Sequence, residues 1–181
     1  MASRITSEFP RPRTLIHPGA FQPVRIQSRH SARARHVRLA LQPGLSLFDA
    51  LVRPLAAAGI GNASTTILGG FFSQLHYCVA PPDPSGRAVI AYTAPVAAGC
   101  CALVFGNATI GKDAAGRPLV HCHAAFRSED GATLGGHVIA QSSVVGPEAI
   151  AVLVTSIEDF ELRVAFDPET NIPLLQPAEL A

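Results

Sequence analysis

The stretch Leu119-Val-His-Cys-His-Ala-Ala-Phe126 and the later stretch Leu134-Gly-Gly-His-Val-Ile139 together contain three of the seven histidines of this chain. Side chains on an extended strand alternate between its two faces, so His121 and His123 are expected to point to the same side. The polar residues between the two stretches include Asp130-Gly131, which is a signal for a hairpin turn. The sequence therefore predicts a β-hairpin that carries all three histidines.

The register of this hairpin decides whether the third histidine joins the other two. A loop with an odd number of residues, centred on Asp130, would place His123 directly opposite His137, with His121 diagonal to both on the same face. A two-residue turn would instead send His137 to the other face, unless a bulge at Gly135-Gly136 corrected it. The first register is the one that gathers three imidazoles around one point.

Three imidazoles that converge in this way form a candidate metal site. Neutral imidazole suits zinc, the first choice, while iron, nickel, copper and manganese are alternatives. Three protein ligands leave a fourth position for water or substrate, which is the layout of a catalytic zinc. Such a metal lowers the pKa of bound water to about 7 or polarises a carbonyl, so zinc-dependent hydrolase or lyase chemistry is the catalytic hypothesis. A hydrogen-bonded cluster of structural histidines is the alternative.

No residue near the histidines is an obvious general base, so no catalytic residue is assigned. Glu129 and Asp130 are predicted at the tip of the hairpin, too far out to act. Glu148 begins the next strand and either returns toward the histidines or lies in a solvated turn, which is the favoured reading. Cys122 lies between two of the histidines, but strand alternation sends its sulfur to the opposite face, where a small core residue is expected.

The composition indicates one folded domain with a tail. The chain has 181 residues, of which 48% are hydrophobic and 15% charged, and this length is enough for a sizeable core. Its apolar runs are too short to span a bilayer. Arginines and prolines without an apolar stretch make a signal peptide unexpected at the N-terminus. Four cysteines without a CxxC pattern favour a reducing, cytoplasmic location.

Charge is distributed unevenly along the chain. The first forty residues carry eight arginines against one acid, a net charge of +7, whereas the remainder has six basic and twelve acidic residues, a net charge of −6. Such a basic arm could contact DNA phosphates. The candidate DNA-binding residues are Arg25, Arg29, Arg33 and Arg35. The favoured alternative is that the arm pairs with the acidic body of its own or a neighbouring subunit, because aromatic residues do not alternate with its charges and it has no recognition helix.

Turn signals and periodicity divide the chain into an irregular, Pro-interrupted arm at 1–33, a central domain at 34–166 and a Pro-rich, irregular tail at 167–181. Ser46 is predicted to cap a helix that ends at Gly59. Strands are expected at about 36–42, 63–68, 71–79, 87–93, 100–109, 118–127, 133–145, 149–156 and 160–166. One helix among many strands predicts an α+β fold with a twisted, mostly antiparallel sheet that is partly closed on itself.

The order of these elements resembles the plants-and-prokaryotes conserved (PPC) domain, from about residue 36 to 156. The resemblance is carried by Gln42-Pro43-Gly44 before a Leu-Phe-Asp-Ala-Leu helix, by Gly59-Ile60-Gly61-Asn62-Ala63-Ser64 with Gly69-Gly70, by the His121 and His123 strand, by Leu134-Gly135-Gly136-His137, and by Val145-Gly146-Pro147. The His-x-His strand followed by Gly-Gly-His is the most specific part.

The resemblance to bacterial and archaeal members implies a homotrimer in which the residues matching His121, His123 and His137 hold a metal, usually zinc. The wider fold group resembles that of acetolactate decarboxylase, a zinc lyase with a three-histidine site. Plant members carry AT-hook segments and bind AT-rich DNA, and bacterial ones are often called DNA-binding by analogy. The resemblance thus implies a zinc protein with an unidentified small-molecule ligand, and as the alternative a DNA-binding regulatory protein.

Two departures from the family pattern limit what carries over. The chain has no Arg-Gly-Arg-Pro core, since Arg11-Pro12-Arg13 lacks the glycine, and minor-groove binding is therefore not expected to transfer. The usual Gly-Arg-Phe-Glu-Ile-Leu-like strand is replaced by the apolar run Ala98–Phe105, so functions of its polar residues do not transfer either. The added arm, which contains His17, offers a segment that would cover a neighbour's site. A third hypothesis is a scaffold in which the metal only staples the hairpin.

Overall fold

The computed structural model describes residues 15–25 and 27–180 of the chain. The regular elements follow one another in the order β1 His36–Leu41, α1 Leu47–Ala57, β2 Ala63–Ile67, β3 Gly70–Cys78, β4 Val96–Lys112, β5 Pro118–Ser128, β6 Thr133–Val138, β7 Val144–Val145, β8 Ile150–Ser156, β9 Glu161–Asp167 and β10 Ile172–Ala178. The part of the arm within the described residues has no helix or strand, as the sequence predicted.

All ten strands belong to one sheet, with the main order β1-β8-β2-β4-β5-β6-β3-β7. The long strand β4 pairs with β5 along one edge and, along the other, with β3 in its first half and β2 in its second. Because β6 pairs with both β5 and β3, strands β4, β5, β6 and β3 close into a ring. The pairings are antiparallel apart from one parallel contact between β4 and β9, so the predicted fold class is confirmed.

Helix α1 covers one side of this sheet. The Ser46 side chain caps the helix by accepting a hydrogen bond of 3.0 Å from the amide of Asp49, as predicted. Leu47, Leu51 and Leu55 form its buried stripe, and each such leucine contributes about 1.5–3 kcal/mol when it leaves water. In residues 15–25 and 27–180, no helix is long and apolar enough to cross a membrane.

Three strand predictions need correction. Residues 87–93 do not form a strand; they lie in a loop whose nearest ladder contact is one isolated bridge between Pro82 and Ile90, because the surrounding prolines and Gly86 leave no partner strand. Strand β4 is longer than the predicted 100–109 at both ends. The second strand of the histidine hairpin ends at Val138 because the chain then turns, with the amide of Ser143 bonded to the carbonyl of Ile139.

The prediction of an irregular C-terminal tail is also wrong, since Ile172–Ala178 is a strand. Its prolines suggested irregular structure, but β10 is an edge strand, where a residue without an N–H is tolerated. A tight turn brings it back against β9. In this turn Asn171 has a φ of 56° and its amide bonds to the carbonyl of Asp167 at 2.8 Å.

Candidate metal centre

The histidine hairpin has the register that gathers the three rings. Strands β5 and β6 pair without a register shift, and His123 is the direct Cα partner of His137. The loop is centred on Asp130, whose carboxylate accepts a hydrogen bond of 2.5 Å from the Ser128 hydroxyl, and Gly131 takes the left-handed φ of +85°. No bulge at Gly135-Gly136 is needed. Of the two turns considered from the sequence, the loop with an odd number of residues is the one that forms.

The structure brings His121, His123 and His137 together on one face of the sheet. Their ring centroids are 4.9 Å apart for His121 and His123, 4.7 Å for His121 and His137, and 5.4 Å for His123 and His137. One ring nitrogen from each lies within 4.8 Å of the other two. The other face of β5 faces the core, and Cys122, 1% exposed, points there as expected.

The donors fit a divalent transition metal. Nitrogen ligands at about 2.0–2.1 Å from a tetrahedral zinc lie about 3.4 Å from one another, so side-chain shifts of the order of 1 Å would bring these nitrogens to bonding distance. Within the described residues, the buried Nδ1 of His137 has no hydrogen-bond partner. An unsatisfied buried polar atom costs about 1–3 kcal/mol, and coordination to a metal would satisfy it.

Burial favours the neutral form of two of the three histidines. Burial, and secondly the charges of His121 and His123, lower the pKa of His137 to about 4. Burial also lowers the pKa of His121, with a smaller contribution from the charge of His123. Because only a deprotonated imidazole nitrogen can bind a metal ion, these two side chains are ready as ligands at neutral pH.

Strand β3 and the loop that follows it each add one residue that the sequence did not indicate. Cys78 of β3 is the Cα partner of His137, so the row His123, His137, Cys78 crosses three strands. Burial raises the pKa of the Cys78 thiol. The ring of Tyr92, in the loop after β3, lies 5.5 Å from the ring of His137. No local sequence signal pointed to either residue, because the contact of β3 with β6 is made between distant parts of the chain.

Close packing at Gly136 fixes this third strand against the hairpin. A Cβ atom on Gly136 would lie 2.6 Å from the carbonyl oxygen of Cys78 and 2.9 Å from the ring of Tyr77. Strands β6 and β3 can therefore approach only because residue 136 has no side chain. The glycine that forms part of the recognised motif thus acts on the position of the neighbouring His137.

A cavity of about 1140 Å³ opens beside the histidines, and His121, His137, Cys78 and Tyr92 are among the residues that line it. The carboxylates weighed as general bases are not there. Glu129 and Asp130 are exposed at the hairpin tip, and Glu148 is exposed in the turn before β8. The solvated reading of Glu148 is therefore the right one.

The four arginines proposed as DNA contacts are all paired with acidic side chains of the same chain. The pairs are Arg25 with Asp167 at 3.4 Å and with Glu169 at 3.6 Å, Arg29 with Glu179 at 3.8 Å, Arg33 with Asp159 at 3.6 Å, and Arg35 with Glu158 at 2.8 Å. The arrangement matches the alternative in which the arm packs on its own acidic body. Binding of DNA by these arginines stays a prediction.

His17 also contacts its own chain, through a hydrogen bond of 2.6 Å between its Nδ1 and the Glu169 carboxylate. This bond, together with the amide of Gln22, lowers the pKa of Glu169. Gly19 packs against the turn before β10, with its amide bonded to the carbonyl of Glu169 at 2.9 Å. The motif Arg11-Pro12-Arg13 lies outside the described residues.

The fold and the site place this chain in the class of α+β domains in which one hairpin of a ring-closed sheet carries three converging histidines, a candidate metal site. The model of the Plants and Prokaryotes Conserved (PCC) domain family matches residues 28–157, and the chain belongs to this family, abbreviated PPC above. No curated protein matches the chain.

Solved structures share the fold at low sequence identity. A candidate DNA-binding protein from Ralstonia eutropha JMP134 is 20% identical with a TM-score of 0.61, and the match covers 76% of this chain and 88% of that protein's chain. A metal-containing protein from Archaeoglobus fulgidus is 19% identical with a TM-score of 0.62, covering 81% and 94%. A PPC protein from Pyrococcus horikoshii is 17% identical with a TM-score of 0.58, covering 83% and 96%.

Proposed function

We propose that His121, His123 and His137 hold one divalent transition metal, zinc in the first place, and that its open position binds a small molecule from the adjoining cavity. The observation that carries this proposal is the convergence of three ring nitrogens within 4.8 Å of one another at the wall of a cavity of about 1140 Å³. The buried, unpartnered Nδ1 of His137 supports it independently. The resemblance in fold to a metal-containing archaeal protein is further support.

The chain's own residues would position the ligand. Strand pairing fixes the backbones of His123 and His137 and therefore limits where their rings can meet. Burial raises the pKa of the Tyr92 phenol, with a smaller contribution from Cys78, so Tyr92 stays protonated and able to donate a hydrogen bond to an oxygen of the ligand. A bound zinc would supply Lewis acidity, which makes hydrolysis or a lyase reaction the chemistry to test.

Metal content tests this proposal. Protein purified without added metal should contain about one zinc or other transition ion per chain by inductively coupled plasma mass spectrometry. After the metal is removed with a chelator, titration with zinc should restore this stoichiometry. A stoichiometry well below one, with no gain on zinc addition, would contradict the proposal. A bound ion together with a fourth protein ligand would leave only the structural role of a staple.

We also propose a homotrimer, which the family resemblance implies. Apolar side chains that need a partner are present on β3 and β4, where Phe71 is 50%, Val104 58% and Phe105 53% exposed. Native mass spectrometry tests the assembly, and a monomer at micromolar concentration would contradict it. A cytoplasmic location is part of the same proposal, since all four cysteines are free thiols.

DNA binding by the basic arm is the second candidate function. It is supported by the exposure of the side chains of Arg33, at 81%, and Arg29, at 46%, each of which makes one ion pair at the surface. Such surface pairs contribute little to the free energy of folding, so phosphates can replace the carboxylates. The likeness in fold to proteins from Ralstonia eutropha and Bacteroides thetaiotaomicron that are named as candidates for DNA binding also supports a test.

A further inference from the structure

The outer wall of the cavity beside the histidines is built by the last two strands. The cavity is lined by apolar residues of these strands together with His121 and His137; the apolar residues are Leu162 and Val164 of β9 and Ile172, Leu174 and Leu175 of β10. Val164 and Leu175 are Cα partners, so their side chains share one face of the β9–β10 hairpin. The lining therefore combines the polar histidines with an apolar wall.

This wall lies beyond the part of the chain that the family model matches, which ends at residue 157, and it is firmly attached. The buried carboxylate of Glu161 is bonded to Lys112 of β4 and, at 2.5 Å, to Arg163. The amide of Leu162 donates to the Asn62 side chain at 2.9 Å. A Cβ on Gly111 would lie 2.6 Å from the carbonyl oxygen of Leu162, so β9 packs directly on β4.

The loop before β4 closes a second side. The amide of Val89 donates to the carbonyl of Thr170 at 2.9 Å, and the side-chain amide of Asn171 donates to the carbonyl of Arg87 at 2.5 Å. These two bonds tie the loop to the turn between β9 and β10. Ile90 and Tyr92, which follow in the same loop, line the cavity.

Away from the histidines, the wall of the cavity offers no uncompensated charge. Among the described lining residues, Arg25 is the single permanently charged one. Its guanidinium lies 3.4 Å from a carboxylate oxygen of Asp167 and 3.6 Å from one of Glu169, so its charge is already balanced. The remaining polar groups of the wall are neutral side chains, contributed by Gln27, Gln141, Gln176, Tyr92, Thr93 and Thr109. A charged group placed along β9 and β10, away from the histidines, would lose hydration without gaining a partner ion.

We propose that this cavity binds a small, largely apolar molecule, whose one polar head group lies at His121 and His137 and whose uncharged, apolar body lies along β9 and β10. The volume of about 1140 Å³ slightly exceeds the range of about 300–1,000 Å³ that small-molecule sites have, so the cavity has room for such a molecule. Only the placement of the head group rests on the proposed metal; the apolar wall exists without it.

The test uses displacement of the neutral fluorescent probe N-phenyl-1-naphthylamine by straight-chain 1-alkanols, on full-length protein with and without zinc. Each added methylene buried against the wall should tighten binding about three- to fourfold, so 1-octanol should bind about tenfold more tightly than 1-hexanol. Val164→Trp, which places a bulky indole in the part of the cavity along β9 and β10, should reduce probe affinity several-fold. Ala165→Trp is the matched control, because Ala165 is exposed and next to Val164 but does not line the cavity.

Leu175→Gln, which adds no volume and changes the strand partner of Val164 in the cavity lining, provides a second cavity variant should Val164→Trp fail to fold. Probe binding without a chain-length effect, an equal loss in both tryptophan variants, or no probe binding at all would overturn the inference. Octanohydroxamic acid separates it from the proposed function: it should bind more tightly than 1-octanol only in zinc-loaded protein. A chain-length effect without any zinc-dependent gain would support the apolar cavity and overturn the placement of the head group at a metal.

Discussion

His123 on β5 lies directly opposite His137 on β6, and their rings meet nearly edge to face, with an interplanar angle of 87° and centroids 5.4 Å apart. The backbone ladder, rather than a flexible loop, thus sets where the two rings meet. A slip of one residue would turn His137 to the other face of the sheet and separate the three rings. The ability of this hairpin to bind a metal depends on that register.

Replacing His137 with alanine should remove most of the metal affinity. Two remaining imidazoles make a much weaker site, so zinc at a concentration that stabilises the native protein by about 2–3 kcal/mol, roughly 100 times its Kd, should leave the variant's free energy of unfolding nearly unchanged. Urea denaturation with and without zinc measures this. His36→Ala is the control, since His36 is exposed on β1, outside the cluster. Equal zinc stabilisation of His137→Ala and the native protein would contradict the prediction.

Gly136→Ala should damage the site without touching a ligand. The new methyl group would lie 2.6 Å from the Cys78 carbonyl oxygen, so β6 must move away from β3, at a cost of about 1–3 kcal/mol, and His137 moves with it. Denaturation and zinc titration should both show a loss. Gly61→Ala is the matched control, because nothing lies within 4 Å of its Cβ position and its φ is not in the left-handed region. If both variants keep native zinc affinity, the packing argument is wrong.

The metal-free protein should lose stability as the pH falls from 7 toward 5. In the unfolded chain the histidines titrate near about 6.5, whereas burial holds the pKa of His137 at about 4 and lowers that of His121. The unfolded state therefore binds more protons in this range, and the free energy of unfolding decreases with falling pH. His137→Gln should show a shallower decrease in urea denaturation at pH 7, 6 and 5. An unchanged slope would show that His137 is not held neutral by the fold.

The sequence allowed the hairpin to be predicted because its determinants are local: strand alternation places His121 with His123, and the turn at Asp130 sets the partner of His123. The apolar run at 87–93 looked like a strand for the same local reason, yet no neighbouring strand is available to pair with it. Cys78 joins the histidine row, and β10 closes the cavity, through pairings between distant segments. No periodicity in a single segment encodes such contacts.

Deleting residues 1–33 tests the second candidate function. If the arm contacts phosphates, duplex DNA binding should weaken steeply with added salt and should disappear in the truncated protein, while His137→Ala should bind as the native protein does. Electrophoretic mobility shifts at 50 and 200 mM salt measure this. Arg33→Glu alone should weaken binding, since this side chain is the most exposed of the paired arginines, at 81%. No retardation of DNA at low salt would exclude DNA binding by the arm.

A crystal structure with anomalous data on both sides of the zinc absorption edge is the measurement that tests the metal centre most directly. We expect one anomalous peak per chain, at about 2.0–2.1 Å from a ring nitrogen of each of His121, His123 and His137, with a non-protein ligand on its cavity side. Two results would contradict the proposed metal centre. One is an anomalous map without a peak at this point from crystals grown with zinc; the other is a structure in which any of the three rings turns away from the others.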